Sequence, residues 1–405
     1  MKQTNAFLPV YTADNSAMCS ALYELGGLLV MHDASGCNST YTTHDEPRWE
    51  SGPAHAFISG LIEVDAVLGN EKRVVDDICE AAASFRPNFI CLAGTPIPMM
   101  MGTDYDGIAR EIEARSGIPA FGVDTNGTED YSLGAGKAFA ALADRFCTER
   151  LPKTEGLSVN LLGVTPLDFS VNGNHSDLKA LFEAEGIRVN ACFAMDDTLD
   201  SIKRASAARV NVAVTGAGIP AAKLLLRRFG TPFVIGCPVG EFMAGAVLSA
   251  VRAAAKDGES RNLAVGARGN APEGKPAYVI GEPVIACAAR AALVRERGMT
   301  NVRVLTALAA DKMLLAPGDR AEVREDDFLA LLPESRLVLG DPMHRALLRL
   351  RGLADVPFAE WPHTALSGRI WERAMPRFIG NRFSAWLDEA LERPSLVLSD
   401  YPARS

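Results

Sequence analysis

The sequence predicts an α/β protein of three Rossmann-like, doubly wound units with parallel sheets, as three observations indicate. Ten apolar runs of 5–7 residues alternate with helical patterns along the 405-residue chain. Continuous runs this short are how strands buried on both faces of a parallel sheet read. Several of the intervening helical segments end in Gly just before the next run, the expected helix stop. Two polar seams rich in Gly or Pro, near 148–156 and across 257–276, are each followed by a fresh strand ending in Gly.

Taken in order, the first unit spans 1–152, with strands GGLLVM (26–31), NFICLAG (88–94) and PAFGV (119–123) and the helical segment VDDICEAAASF. The second spans 153–262, with strands at 157–163, 187–193, 210–214 and 232–236 and the helices SDLKALFEAEG and AAKLLLRRFG. The third spans 270–405, with strands at 277–281, 302–306 and 336–340, the helix ACAARAALVRERG and C-terminal helices. Repeated strand–helix–strand units imply right-handed crossovers.

Composition narrows the function classes. The net charge of −9 and pI near 5.3 argue against a nucleic-acid partner, which needs a basic face. No apolar stretch reaches the roughly 18–20 residues of a membrane span. The N-terminal MKQTNAFLPVYTADNS has no charged-then-apolar signal pattern, so a cytoplasmic location is expected. The chain carries no GxxxxGK[ST] phosphate loop and therefore is not itself an ATPase of that type. Its eight cysteines contain no CxxC pair. Any metal site must gather ligands from distant segments or from two chains.

The most unusual stretch follows the first strand: MHDASGCNSTYTTHDEPRWESG, residues 31–52. Ligands bind beyond the carboxyl ends of strands in such folds, and this loop brings Cys37 there among many polar groups. Cys19 lies just upstream, in a helix leading into the same strand. Both are candidate thiolate ligands, whereas Cys79, Cys147, Cys192 and Cys287 lie on apolar faces and read as small core residues. His32, Asp33 and His44, with Asp45 and Glu46 beside them, are candidate proton donors. His32 and Asp33 equally suit the task of orienting the loop by hydrogen bonds. His344 is a candidate for an interdomain cleft, as are Ser170, Asn172, Asn174 and His175; His363 and His175 follow turns and read as surface residues. The Met99–Met101 run reads as core or interface filling.

Cys19 followed by ALYELGG and then HDASGC resembles the first two cluster cysteines of the nitrogenase component 1 superfamily, where the stretch reads roughly C-x-x-x-GALYA…HG-x-x-GC. The segments GTPIPMMMGTDYDG, VNVAVTGAGIPAAKLLLRRFGTPFVIGCPVG and LVLGDPMHRALLRLRG resemble later motifs of that family in the same order. The resemblance implies three Rossmann-like domains and an iron–sulfur cluster, 4Fe–4S or a larger relative, at a subunit interface. It implies Cys19 and Cys37 as ligands, with Cys91 the nearest cysteine to the family's third position, which aligns at Pro96. The family's first cysteine aligns nearest Ser16. The cysteine anchoring the catalytic cofactor falls at Thr215, so no iron–molybdenum cofactor is expected. Two thiolates per chain would make a homodimer's four; a heterodimer with a sister component 1 subunit is the equal competitor. An ATP-dependent iron protein is the implied electron donor. The resulting expectation is a nitrogenase-like reductase subunit acting on a small molecule or tetrapyrrole-like substrate, with a non-catalytic scaffold for metallocluster assembly as the alternative. A plain sugar- or nucleotide-binding protein is disfavoured by the lack of a GxGxxG turn after the first strand.

Overall fold

The computed structural model of the chain describes residues 5–39, 41–49, 55–69, 71–265 and 274–392; the side chains of Thr43 and His44 lie outside the described part. Its strands form three sheets, every pairing parallel. The first has β1 (Leu28–Met31), β2 (His55–Ile58), β3 (Ile90–Ala93) and β4 (Ala120–Val123), in the order β2-β1-β3-β4. The second has β5 (Ser158–Leu162), β6 (Arg188–Phe193), β7 (Val210–Ala213), β8 (Phe233–Ile235) and β9 (Arg261–Asn262), in the order β6-β5-β7-β8-β9. The third has β10 (Ala277–Ile280), β11 (Val302–Leu305), β12 (Leu337–Gly340) and β13 (Phe358–Glu360), in the order β11-β10-β12-β13.

All ten expected strands are present. The three further strands, β2, β9 and β13, lie at sheet edges. They are too short or too polar to make an apolar run: β9 is the dipeptide Arg261–Asn262, and β2 alternates with Phe57 exposed. The expected helix near Cys19 runs Asp14–Leu22 and tightens into a 3₁₀ turn, Tyr23–Leu25, stopped by Gly26 at φ 72°. The Met run forms a short helix, Pro96–Met101, with Met99 and Met100 exposed.

Four strands enter their helices through the same device, an N-cap residue followed by proline. These are Thr95–Pro96, Thr165–Pro166, Glu282–Pro283 and Asp341–Pro342. Proline suits the first helical position because its missing N–H would have no helical partner there. The chain thus turns sharply at strand ends, leaving these N-cap residues at the sheet's carboxyl edge, where Glu282 and Asp341 cap their helices with their side chains.

One hydrophobic core runs through all three sheets, from Tyr11 to Leu387, and holds Cys19, Cys91, Cys147, Cys192, Cys237 and Cys287. Separate clusters fill the outer faces of the first and third sheets, around Val75 and Ile112 and around Tyr278 and Phe328. Gly163, after β5, sits at φ 88°, and a Cβ there would stand 2.3 Å from Thr215 Oγ1 and 2.7 Å from the Gly218 nitrogen. Gly163→Ala is therefore expected to destabilise the fold by more than about 1 kcal/mol. Gly245, inside helix Gly240–Asp257, faces open space, and Gly245→Ala should stabilise by about 0.5–1 kcal/mol. Urea unfolding midpoints of the two variants should move in opposite directions.

Candidate functional site

In each sheet the second strand in sequence lies outside the first, and the third lies on its other side. The order therefore reverses between β1 and β3, β5 and β7, and β10 and β12. Such switch points open a crevice beyond the carboxyl ends of the strands, where ligands bind.

At the β1/β3 point the loop 32–39 is built by its own polar residues. His32 is buried, its Nδ1 lies 2.8 Å from Ser59 Oγ, and its carbonyl accepts from Thr95 Oγ1 at 2.7 Å. Burial pushes the imidazole below its ordinary range, against a smaller opposing pull from Asp33 and Asp65. Asp33, also buried, accepts from the Ala34 amide and from Asn38 Nδ2 at 2.7 Å, and Asn15 Nδ2 reaches Asn38 Oδ1 at 3.1 Å. These bonds tie the loop to the first turn of helix Asp14–Leu22 and leave Cys37 exposed at its tip. The Asp33 carboxylate beside it pushes the Cys37 thiol upward. His44 falls in the helical turn Tyr41–Asp45, and its side chain is outside the described part.

Cys19 is placed differently from the expectation of two thiols offered together. Every residue of helix Asp14–Leu22 except Ser16 is buried, so the helix has no free face on which Cys19 could stand. The Cys19 thiol is fully buried, and burial followed by the Glu46 charge drives it far above the usual thiol range. Cys91, on β3, is equally buried, its Sγ 3.6 Å from Met18 Sδ. Ser16, where the resemblance aligned a cysteine, lines a groove of about 850 Å³ together with Tyr11, Asp130, Ala309, Thr364 and Arg369. Glu46 and Ser20 line it too, and both are held by Arg48, buried at 6% exposure, which bonds Glu46 at 2.6 Å, Glu24 at 2.8 Å and the Ser20 carbonyl at 2.6 Å. Among the described residues, no three His, Cys, Asp or Glu side chains converge as a metal set.

The other two switch points meet inside the protein, and here the sequence reading missed the principal groups. Asp168, after β5, accepts from Tyr131 Oη at 2.5 Å and from His363 Nε2 at 3.0 Å through the same oxygen, Oδ1. Glu282, after β10, accepts from the Gly216 amide at 2.8 Å and the Ile285 amide at 2.9 Å, spanning the second and third sheets' loops. Burial, then the Asp168 charge, pushes Glu282 up to about 8. Asp341 caps its helix and accepts from the His363 amide and Ser367 Oγ. Cys237, beyond β8, is raised by burial and then by the charges of Glu282 and Asp168.

His363, read as a surface residue, is thus a junction residue, clamped edge-on against Tyr11 and Tyr131. His344, read as a cleft residue, is instead buried in the third unit against Phe328, and burial lowers it to about 4. Helix Pro342–Leu350 places His344 on its core face. Asn172 and Asn174 anchor the segment 375–378, and Ser170 is fully buried beside them. One signal could have found the junction: Thr165, Glu282 and Asp341 each precede a proline at a strand end.

Glu282 gives the junction a pH signature. Its folded pKa lies above the unfolded value, so its contribution to stability is present below about 4.5 and is lost as pH rises through about 8. His344 has the opposite sign, but acts only below its unfolded value of 6.5. Between roughly pH 6.5 and 8, stability should therefore fall with rising pH through Glu282. Glu282→Gln should flatten that slope in chemical unfolding at fixed ionic strength.

Comparison with known proteins agrees with this architecture. The model of the nitrogenase component 1 type oxidoreductases matches residues 24–332. The nitrogenase iron-molybdenum cofactor biosynthesis protein NifE of Bradyrhizobium diazoefficiens is 28% identical over 184 residues, 45% of this chain and 33% of that protein. The nitrogenase molybdenum-iron protein alpha chain of Methanosarcina barkeri is 26% identical over 184 residues, 44% of this chain and 34% of that one. The matched region thus spans about a third of the length of these relatives. The solved structure of nitrogenase Cp1 at pH 6.5 superposes with a TM-score of 0.71 at 16% identity, covering 100% of this chain and 97% of the other. The chain belongs to the nitrogenase component 1 type oxidoreductase family.

Proposed function

We propose that this chain is a scaffold subunit on which an iron–sulfur metallocluster is assembled and from which it is handed over. The observation that carries this reading is the exposure of Cys37, the open thiol on a strand-end loop braced by Asp33, Asn38 and Asn15. A cluster that must leave needs few bonds from its carrier and an open path. A resident catalytic cofactor needs several ligands inside a closed cavity. The interior position of this chain does not fit such a group. Thr215 is buried with its hydroxyl donated to the Gly163 carbonyl at 2.7 Å. The void beside Asp168 and Glu282 is about 30 Å³, room for a water or two. The similarity to NifE proteins, named for cofactor biosynthesis, supports the same reading.

One thiolate does not complete a 4Fe–4S cluster, which takes four ligands. The remaining ligands come from a second copy or a sister subunit docked over the Cys37 loop. Cys19 and Cys91 contribute only if helix Asp14–Leu22 withdraws from the core. The oxidoreductase character of the family keeps a second reading in play, in which an ATP-dependent iron protein feeds electrons to the cluster and His32 and Asp33 serve its proton supply.

Reconstituted anaerobically with iron and sulfide, the protein should turn brown and associate, by light scattering, into at least a dimer, because a ligand that binds only the dimer stabilises it. Cys37→Ala should lose most of the iron. Cys147→Ala and Cys287→Ala should keep it, each leaving only a small void costing about 1 kcal/mol. Equal loss in all three variants would sink the assignment of Cys37. The loaded protein should release its cluster to an apo acceptor without ATP. A cluster that stays in place and cycles with an iron protein and ATP favours the reductase instead.

A further inference from the structure

The junction of the second and third sheets' loops buries three carboxyl groups, Asp168, Glu282 and Asp341, against a single imidazole, His363. The side chain of Asp168 is 1% exposed, and its only basic partner among the described residues is the His363 imidazole. Glu282 and Asp341 are each 2% exposed, and no lysine or arginine pairs with either among the described residues. Elsewhere this protein meets a buried carboxylate with a guanidinium: Arg290 with Asp319 at 2.6 Å, and Arg48 with Glu46 at 2.6 Å. Asp168 Oδ1 receives two hydrogen bonds, yet the buried Oδ2 has no partner. The hydroxyls of Thr165 and Ser170, on the same turn, are likewise buried and unpaired. A buried carboxylate oxygen without a donor is costly unless something fills the place. Beside it lies the void of about 30 Å³, lined by Asp168, Glu282, Gly281, His363 and Trp361.

We propose that this void binds one monovalent cation of water size, ammonium or potassium, between Asp168 Oδ2 and the Glu282 carboxylate. The volume accepts a particle as large as water and little more. The oxygen donors suit a hard cation or an N–H donor. Asp168, Glu282 and His363 all line the void, but among the described residues no three His, Cys, Asp or Glu side chains converge as a multivalent metal would need. A neutral water would satisfy Oδ2 but leave the buried charge uncompensated. Asp168 belongs to the second unit and Glu282 to the third, so the ion would clamp the two together. The raised Glu282 carboxyl fits a place short of positive charge. The other titratable groups in or beside the junction are Tyr11, Tyr131, Cys237, Asp341 and His363. This inference is independent of where an iron–sulfur cluster binds.

The test uses the full-length protein in choline chloride at constant ionic strength, at about pH 8.5 so that Glu282 is largely ionised. Thermal unfolding is followed while choline is replaced by ammonium, potassium or sodium. The expected result is a saturable rise in Tm with ammonium, potassium or both, and none with added choline. Ammonium acting alone identifies hydrogen-bond donation as the selecting feature; both acting identifies size. Asp168→Asn should abolish the rise, and Glu282→Gln, which keeps the shape, serves if Asp168→Asn does not fold. Asp177→Asn, a carboxylate outside the void, should retain it. A Tm indifferent to the cation overturns the site. So does a Tm that rises as pH is lowered but responds to no cation, since a proton would then be the occupant.

Discussion

Helix Tyr131–Phe146 lies so close to helix Asp14–Leu22 that a Cβ at Gly134 would stand 2.0 Å from the Asp14 carbonyl oxygen. Only glycine allows this approach, and much of the interior is positioned by it. The approach sets the start of helix Tyr131–Phe146, from which Tyr131 reaches Asp168 in the second unit and Asp130 accepts from the Ala309 amide in the third. It also turns the partner helix so that Ser16 and Ser20 meet the groove while Cys19 is sealed inside. The same helix packs against helix Ile219–Phe229, where Gly136 sits beside Pro220. It therefore meets residues that adjoin each of the three sheets.

The protein handles interior charge in two ways, and the contrast separates structure from site. Around Arg48 both carboxylates, Glu24 and Glu46, bond the one guanidinium directly, and the segment 41–49 is thereby fastened against Glu24 and Ser20. Around Asp168 the compensation is incomplete: Tyr131 and His363 bond only one of its oxygens, and the neighbouring Glu282 and Asp341 rely on backbone amides. Amide dipoles stabilise a carboxylate without cancelling its charge. A region built this way remains responsive to whatever small positive species reaches it, whereas the Arg48 network is closed.

Much of the fold was legible because its strands are buried on both faces, and burial writes itself into the sequence as unbroken apolar runs. The edge strands β2, β9 and β13 escaped because an edge is half solvated and needs no such run. The first switch-point loop was legible as well, since His32, Asp33 and Cys37 are contiguous with a strand. The junction was not. Tyr131, Asp168, Glu282 and His363 come from four distant segments, and each looks ordinary in its own neighbourhood. Cys19 shows the limit from the other side. Its spacing to Cys37 follows the family's rhythm, but which side of a helix meets solvent depends on what packs around it, and here everything does.

The continuity of the hydrophobic core across the three sheets has a mechanical meaning. Seams at 148–156 and 257–276 look like natural cutting points, yet residues on both sides of each share one buried cluster. Melting should therefore proceed as a single cooperative event, with no sheet surviving as an isolated fragment. Hinge opening along either seam would have to expose that shared interior to water, so the core itself opposes any widening of the groove that Ser16 and Thr364 line.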